Sequence, residues 1–338
     1  MARLSRGWIP LLLLASFAVV SASPSGQGSG TPLPSAPGAS MPGARASARG
    51  QDWFKSGVDL VALDVCVKDR DGRFIEGLMP EDFVVLEDDA LQRVALFVPD
   101  GQVPLAVAVV VDRSSSMSGE RLTRAKAAAA AFIRALRPDD LVEVLAFNDR
   151  VERPVALGRD HDAAESAVSA LTADGSTGLF EAIAVALRDL TRARPPVDEY
   201  RRAIVVLSDG EDTSSRLAFE DVLEDARKSG AIIYAVSLRT DMKDRWLAAP
   251  YHLSQLAHDT GGRPIAVRNL ESLTSIYEEI AAELRHLYRL GYVPAQAVRD
   301  GRWHAISVRV RRPDARIRTR TGYYAPRPSS VVAKGRIR

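Results

Sequence analysis

Residues 106–119 read AVAVVVDRSSSMSG: six consecutive apolar residues run directly into one carboxylate, Asp112, and then into serines at 114, 115, 116 and 118. A strand that is apolar at every position has both faces covered, the condition of a parallel strand inside an α/β layer. The next stretch places Leu122, Ala125, Ala129, Ile133 and Leu136 at helical spacing, so the polar residues stand between a strand and a helix. In an open parallel sheet the carboxyl ends of the strands border the ligand crevice. Asp112, Ser114 and Ser116 are therefore expected there. A carboxylate and two hydroxyls are hard oxygen ligands that suit a divalent cation such as Mg²⁺, which takes octahedral oxygens at about 2.0–2.1 Å.

The same texture extends from Pro104 to about Pro294. Apolar strand runs stand at 105–111, 141–147, 203–207, 231–238 and 264–267, separated by helix-like stretches near 120–136, 161–171, 178–190, 218–229, 251–260 and 270–286. This pattern predicts a doubly wound, mostly parallel, Rossmann-like α/β sheet. The flanks differ. Residues 58–98 alternate like half-buried strands, with Val61, Leu63, Val65 and Val67 on one face, and alternation returns after Leu290 in HAISVRVRR and RIRTRTGYYA. The simplest completion of the small N-terminal β unit pairs it with the C-terminal strands, a β-sandwich with the α/β domain inserted between its halves.

With 338 residues, 46% hydrophobic and 26% charged, the chain has the balance of a globular protein with a sizeable core. A net charge of +2 does not point to nucleic acid or an anionic membrane. Arg3 and Arg6 precede an apolar stretch from Trp8 to Val20, and Val20-Ser21-Ala22 offers small residues for a cleavage site. Residues 1–22 thus read as a secretory signal peptide, too short to span a membrane, which places the mature chain in the periplasm, on the cell surface or outside the cell. Residues 23–52, rich in Ser, Pro, Gly and Ala, read as a disordered tether. The remaining boundaries are expected at 53–100 for the N-terminal β segment, 103–285 for the α/β domain, 286–325 for the C-terminal β segment and 326–338 for a basic tail. Cys66 is the only cysteine and is expected to be inert.

Three oxygens from one loop do not enclose a cation, so further ligands are expected at neighbouring strand ends. DGSTGLFEAI presents Thr177 in a glycine-rich loop before a helix, and AIVVLSDGED places Asp209 just past another apolar strand. Asp112-x-Ser114-x-Ser116 with Thr177 and Asp209 resembles the metal-ion-dependent adhesion site of von Willebrand factor type A domains, over about residues 103–285, with FND and LSDGED also typical. The resemblance implies that Ser114 and Ser116 ligate Mg²⁺ (or Mn²⁺ or Ca²⁺) directly, that Thr177 does so in the ligand-bound state, and that Asp112 and Asp209 act largely through water. The open position then takes an acidic side chain of a protein partner. The sequence departs from the family pattern at Ser115 and Ser176, where glycine is common. The flanks 58–89 and 288–325 look like those of von Willebrand A-related proteins of Acidobacteria, which implies a bacterial exported protein.

Other readings remain on sequence alone. An Asp or a Ser after a strand also caps helices. A metal-dependent hydrolase is the main alternative, although no G-x-S-x-G elbow or H-E-x-x-H spacing occurs and histidines 161, 252, 258, 286 and 304 form no zinc pattern. A third is a structural domain with a non-functional metal site. Glu211 and Asp212 are read as turn caps and not as ligands. Arg316, Arg318 and Arg320 alternate with smaller residues and are read as a solvated strand face, with anionic cell-surface material as the other candidate for that face.

Overall fold

The computed structural model describes residues 60–192, 199–209, 212–238, 251–295 and 299–327. The signal segment, the tether and nearly all of the basic tail lie outside the described residues. The order is β1 (Val61–Lys68), β2 (Phe83–Glu87), β3 (Ala90–Gln92), β4 (Val94–Val98), β5 (Leu105–Asp112), α1 (Glu120–Arg134), β6 (Leu141–Phe147), β7 (Val151–Gly158), α2 (His161–Ser169), α3 (Leu179–Arg192), β8 (Arg201–Ser208), α4 (Phe219–Ser229), β9 (Ile232–Ser237), α5 (Tyr251–Asp259), β10 (Pro264–Ala266), α6 (Leu273–Arg285), β11 (Leu287–Tyr292), β12 (Trp303–Val310), β13 (Arg316–Arg318) and β14 (Gly322–Tyr324).

The central sheet runs β10-β9-β8-β5-β6-β7, parallel except for the antiparallel edge strand β7. Every residue of β5 is buried, and its side chains divide strictly by parity. Leu105, Val107, Val109 and Val111 pack with α1, α2 and α6 on one face, and Ala106, Ala108 and Val110 pack with α3, α4 and α5 on the other. The unbroken apolar run is thus the signature of a strand between two helical layers. β5 lies between β8 and β6, where the strand order reverses, so its carboxyl end opens at the topological switch point.

The expected strands and helices of this layer are present, with ends displaced by at most three residues. β7 was not foreseen. Its residues Glu152, Arg153 and Pro154 are exposed and break any apolar period, as an edge strand tolerates and a central one does not.

The flanking segments interleave in two antiparallel sheets, β13-β1-β11-β4 and β14-β12-β2-β3. β1 pairs with β11 and β2 with β12, so both sheets join N- and C-terminal strands, alternating in the first and as two adjacent pairs in the second. Val61, Leu63, Val65, Val67, Phe83, Val85, Tyr288, Leu290, Tyr292 and Ile306 form the core between them.

The other face of β1 lies against the α/β layer, which accounts for its mixed composition. Cys66 packs into the core beside α1 and α6, where burial pushes its thiol above the ordinary value. Asp64 meets Arg201 at 3.0 Å and Arg289 at 3.1 Å, and Lys68 meets Glu283 at 2.8 Å. The arginine row of the C-terminus needs a correction here. Arg318 sits opposite Cys66 in the β13–β1 register, pairs with the buried Glu283 and lies over the Tyr234 ring, while Arg320 is half-buried over Tyr323. Of Arg316, Arg318 and Arg320, only Arg316 is exposed. The alternation read as a solvated face is, for Arg318, a face closed by the neighbouring layer.

Candidate metal centre

Asp112 ends β5 and is fully buried. Its Oδ1 accepts the Ser114 backbone N–H at 2.8 Å and its Oδ2 accepts the Ser208 hydroxyl at 2.5 Å. The chain then makes a 3₁₀ turn over Ser115–Met117, which brings the Ser114 and Ser116 hydroxyl oxygens 3.0 Å apart. Ser116 Oγ donates to Asp209 Oδ1 at 2.7 Å, across to the end of β8. Four of the five expected residues are therefore joined in one hydrogen-bonded cluster. Ser115 and Ser176, the departures from the family pattern, do not have positive φ, so neither position demands glycine.

Thr177 is buried and enters through its backbone. The loop that carries it is tied to the serine loop by Ser115 N–H to Gly175 O (2.9 Å) and Asp174 N–H to Arg113 O (2.8 Å). It is tied to the loop after β8 by Thr213 N–H and Ser214 N–H, which donate to Thr177 O at 2.9 and 3.1 Å. Gly175 has φ +77°, and a Cβ there would lie 2.6 Å from Asp149 Oδ1 and 2.9 Å from Asn148 Nδ2. Glycine is needed for both conformation and space.

The electrostatics are unbalanced. Burial raises the Asp112 pKa above the ordinary carboxylate value; the hydrogen bonds from Ser208 and Ser114 oppose this, and Asp209 adds to it. Among the described residues Asp112 has no cationic partner. Asp209 has one, Arg121 in the first turn of α1, whose Nη1 lies 2.6 Å from Oδ2. Adjacent ligand oxygens in an octahedron with bonds of about 2.0–2.1 Å are about 2.9–3.0 Å apart. The Ser114–Ser116 oxygen separation of 3.0 Å, here that of a hydroxyl–hydroxyl hydrogen bond, is close to that edge. The donor set is all oxygen and suits a hard cation.

Several supporting residues were not singled out from sequence. Ser208 holds Asp112, and Arg121 holds Asp209. Asn148 is buried, donates to Asp174 O at 2.9 Å, and its carbonyl accepts Gly178 N–H at 2.6 Å, which fixes the Thr177 loop from below. The FND and LSDGED stretches contained two of these three, without a signal for their particular roles. Asp212 caps the start of α3, its Oδ1 accepting from Leu179 N–H at 2.7 Å, a helix that precedes it in the chain and not the turn that follows it; Glu211 lies outside the described residues.

A doubly wound sheet with a cluster of carboxylate and hydroxyl groups at its switch point defines a class of α/β domain. The sequence matches the von Willebrand factor type A domain over residues 106–279, about half of the chain, and the protein belongs to that family. An uncharacterized protein of Synechocystis sp., sll0103, is 30% identical over 115 residues, covering 33% of this chain and 27% of that protein. Among solved structures, a von Willebrand factor type A protein from Catenulispora acidiphila superposes with a TM-score of 0.48 at 18% identity, over 68% of this chain and 51% of that one. The vWF domain of the type V pili tip protein Mfa5 from Porphyromonas gingivalis gives 0.43 at 14% identity, over 53% and 94%. The chain thus spans about a quarter of its curated relative and about half of the first of these structures. Domains of this family often mediate protein–protein interaction or adhesion. Among the described residues no helix is long and apolar enough to cross a membrane.

Proposed function

We propose that this chain is an exported, non-enzymatic binding module that engages an acidic side chain of a protein partner through a divalent cation. Ser114, Ser116 and Thr177 would hold the cation directly, with Asp112 and Asp209 behind them, and the bound cation would supply a Lewis-acidic position for a Glu or Asp carboxylate. The observation that carries this reading is the pair of serine oxygens near octahedral spacing, 3.0 Å apart, above a fully buried Asp112 without a cationic partner among the described residues. Burying an uncompensated carboxylate is costly, and a hard cation relieves that cost. Asp112 and Asp209 orient the hydroxyls through the Ser114 N–H and the Ser116 O–H, and the Thr177 loop supplies the neighbouring wall of the crevice. The partner's identity rests with the surrounding loops. Export rests on the sequence of residues 1–22 alone.

The test is selection of displayed peptides with a fixed Glu or Asp against the purified chain in Mg²⁺. Retained peptides should release on chelation, fail to bind Asp112→Ala, and lose binding when the acid becomes its amide. Retention that survives chelation and the amide change would overturn the reading, as would metal-dependent cleavage of the peptide, which would favour a hydrolase.

A further inference from the structure

A single partner carboxylate leaves one charged group at the rim of the crevice unused. We propose that Arg121 is a specificity-determining residue that takes a second carboxylate of the same partner, so that the segment recognised is a pair of acidic residues with one residue between them. The inference rests on the cation-bridged reading above and says what else the partner must carry.

Arg121 stands in the first turn of α1, and one nitrogen of its guanidinium makes all of its hydrogen bonds among the described residues. Nη1 donates to Asp209 Oδ2 at 2.6 Å and to the Ser116 carbonyl oxygen at 3.2 Å, which uses both of its protons. Nε and Nη2 donate to nothing among the described residues and are not buried, so that edge of the guanidinium is open to solvent, in keeping with a side chain 37% exposed. The two N–H groups of that edge are parallel and form the fork that pairs with a carboxylate bidentately. Neighbouring arginines are already engaged. Arg113 Nη2 meets Glu152 Oε1 at 2.6 Å, and Arg124 directs both Nε and Nη2 at Glu120 Oε1. Glu120, next to Arg121 in the chain, is thereby held by Arg124 and leaves the Arg121 fork free.

Fixed acceptors separate Arg121 from an ordinary surface arginine. The Asp209 side chain is 1% exposed, and its Oδ1 accepts the Ser116 hydroxyl at 2.7 Å. One carboxylate therefore links the serine oxygens of the crevice to the guanidinium. A side chain already held in place loses little freedom on pairing with a ligand. α1 also begins at this rim without a side-chain cap, and its dipole adds positive potential there. In an extended segment, side chains two residues apart project from the same face about 7 Å apart, whereas adjacent ones project from opposite faces. Two receptors separated by one carboxylate suit the former, an acid-x-acid segment.

The experiment uses the full chain in Mg²⁺ and peptides retained in the selection described above, each made as Glu-x-Glu and as Glu-x-Gln. Mg²⁺ uptake by each variant is measured first by calorimetry, and peptide affinity is then read on the metal-loaded chain by fluorescence anisotropy. The wild type should prefer Glu-x-Glu about fivefold, and less at high salt. Arg121→Gln should bind the two peptides equally, and Arg121→Lys, which keeps the charge without the fork, should recover only part of the preference. A preference for Glu-x-Glu that survives in Arg121→Gln would overturn the proposal, because an arginine acting only through Asp209 and the cation changes both peptides by the same factor. Equal binding of the two peptides by the wild type would overturn it and leave the single-acid reading intact. Absence of Mg²⁺-dependent binding of either peptide would end both.

Discussion

The two ends of the central sheet treat buried charge in opposite ways. At the amino ends of the strands, where the sandwich docks, Asp64, Asp140 and Glu283 each have a cation. Asp64 sits between Arg201 and Arg289, Asp140 pairs with Arg285, and Glu283 is held by Lys68, Arg318 and the Tyr234 hydroxyl. Burial alone would raise the Asp64 carboxyl, yet the Arg289 and Arg201 guanidiniums hold it well below the ordinary range. At the carboxyl ends, Arg121 meets Asp209 alone, Asp112 has hydroxyl and amide donors but no cation among the described residues, and the Asp112 pKa is raised. One end is electrostatically complete and reads as a joint. The other carries surplus oxygen and negative charge, and reads as a receptor for a cation.

The largest effect is expected at the joint. Asp64→Ala leaves the fully buried Arg201 without its carboxylate and should lower unfolding stability by about 3–5 kcal/mol in denaturant titration. Cation affinity of the folded fraction should not change; a parallel loss would show that the two ends are coupled. Next is Gly175→Ala, which forces a side chain into φ +77° against Asn148 and Asp149. It should cost about 1–3 kcal/mol and also weaken cation binding by displacing the Thr177 loop, an effect that calorimetry would separate from stability.

Between the two ends, on β6, Glu143 tests whether the contrast is one of counting charges. Glu143 and Asp189 share Arg153, and burial with the nearby Asp189 pushes Glu143 up to about 8 against the opposing pull of Arg153. The folded state therefore holds a proton that the unfolded state releases at its ordinary value of 4.5, so stability should fall as pH rises from that value to about 8. Glu143→Gln should flatten that slope, by on the order of 1–2 kcal/mol over the window; an unchanged slope would show that Arg153 serves both carboxylates fully. The smallest effect is at Arg121, whose side chain is 37% exposed. Arg121→Gln removes a positive charge beside Asp209 and should raise Mg²⁺ affinity about threefold at low salt, less at high salt.

The receptor end was legible in the sequence and the joint was not. A strand buried on both faces must be apolar throughout, so LAVAVVVD declared its place, and Asp112, Ser114 and Ser116 followed within a few residues. Thr177 and Asp209 stood out because each follows a loop or strand of recognisable kind. The joint is made of pairs such as Asp64 with Arg201 and Glu283 with Arg318, which lie on different elements and meet only where the sandwich packs on the α/β layer. No local period marks such a pair, and an arginine that alternates with threonine looks the same whether water or another layer covers it. β7 escaped for the complementary reason, since an exposed edge strand needs no apolar period.

The central claim is that the crevice is completed by a cation, and calorimetric titration of Mg²⁺ into the metal-stripped chain beside Asp112→Ala tests it most directly. Saturable binding by the wild type that is lost in the variant is the predicted result. Equal binding by both chains, or none by the wild type even with a carboxylate ligand supplied, would contradict the account.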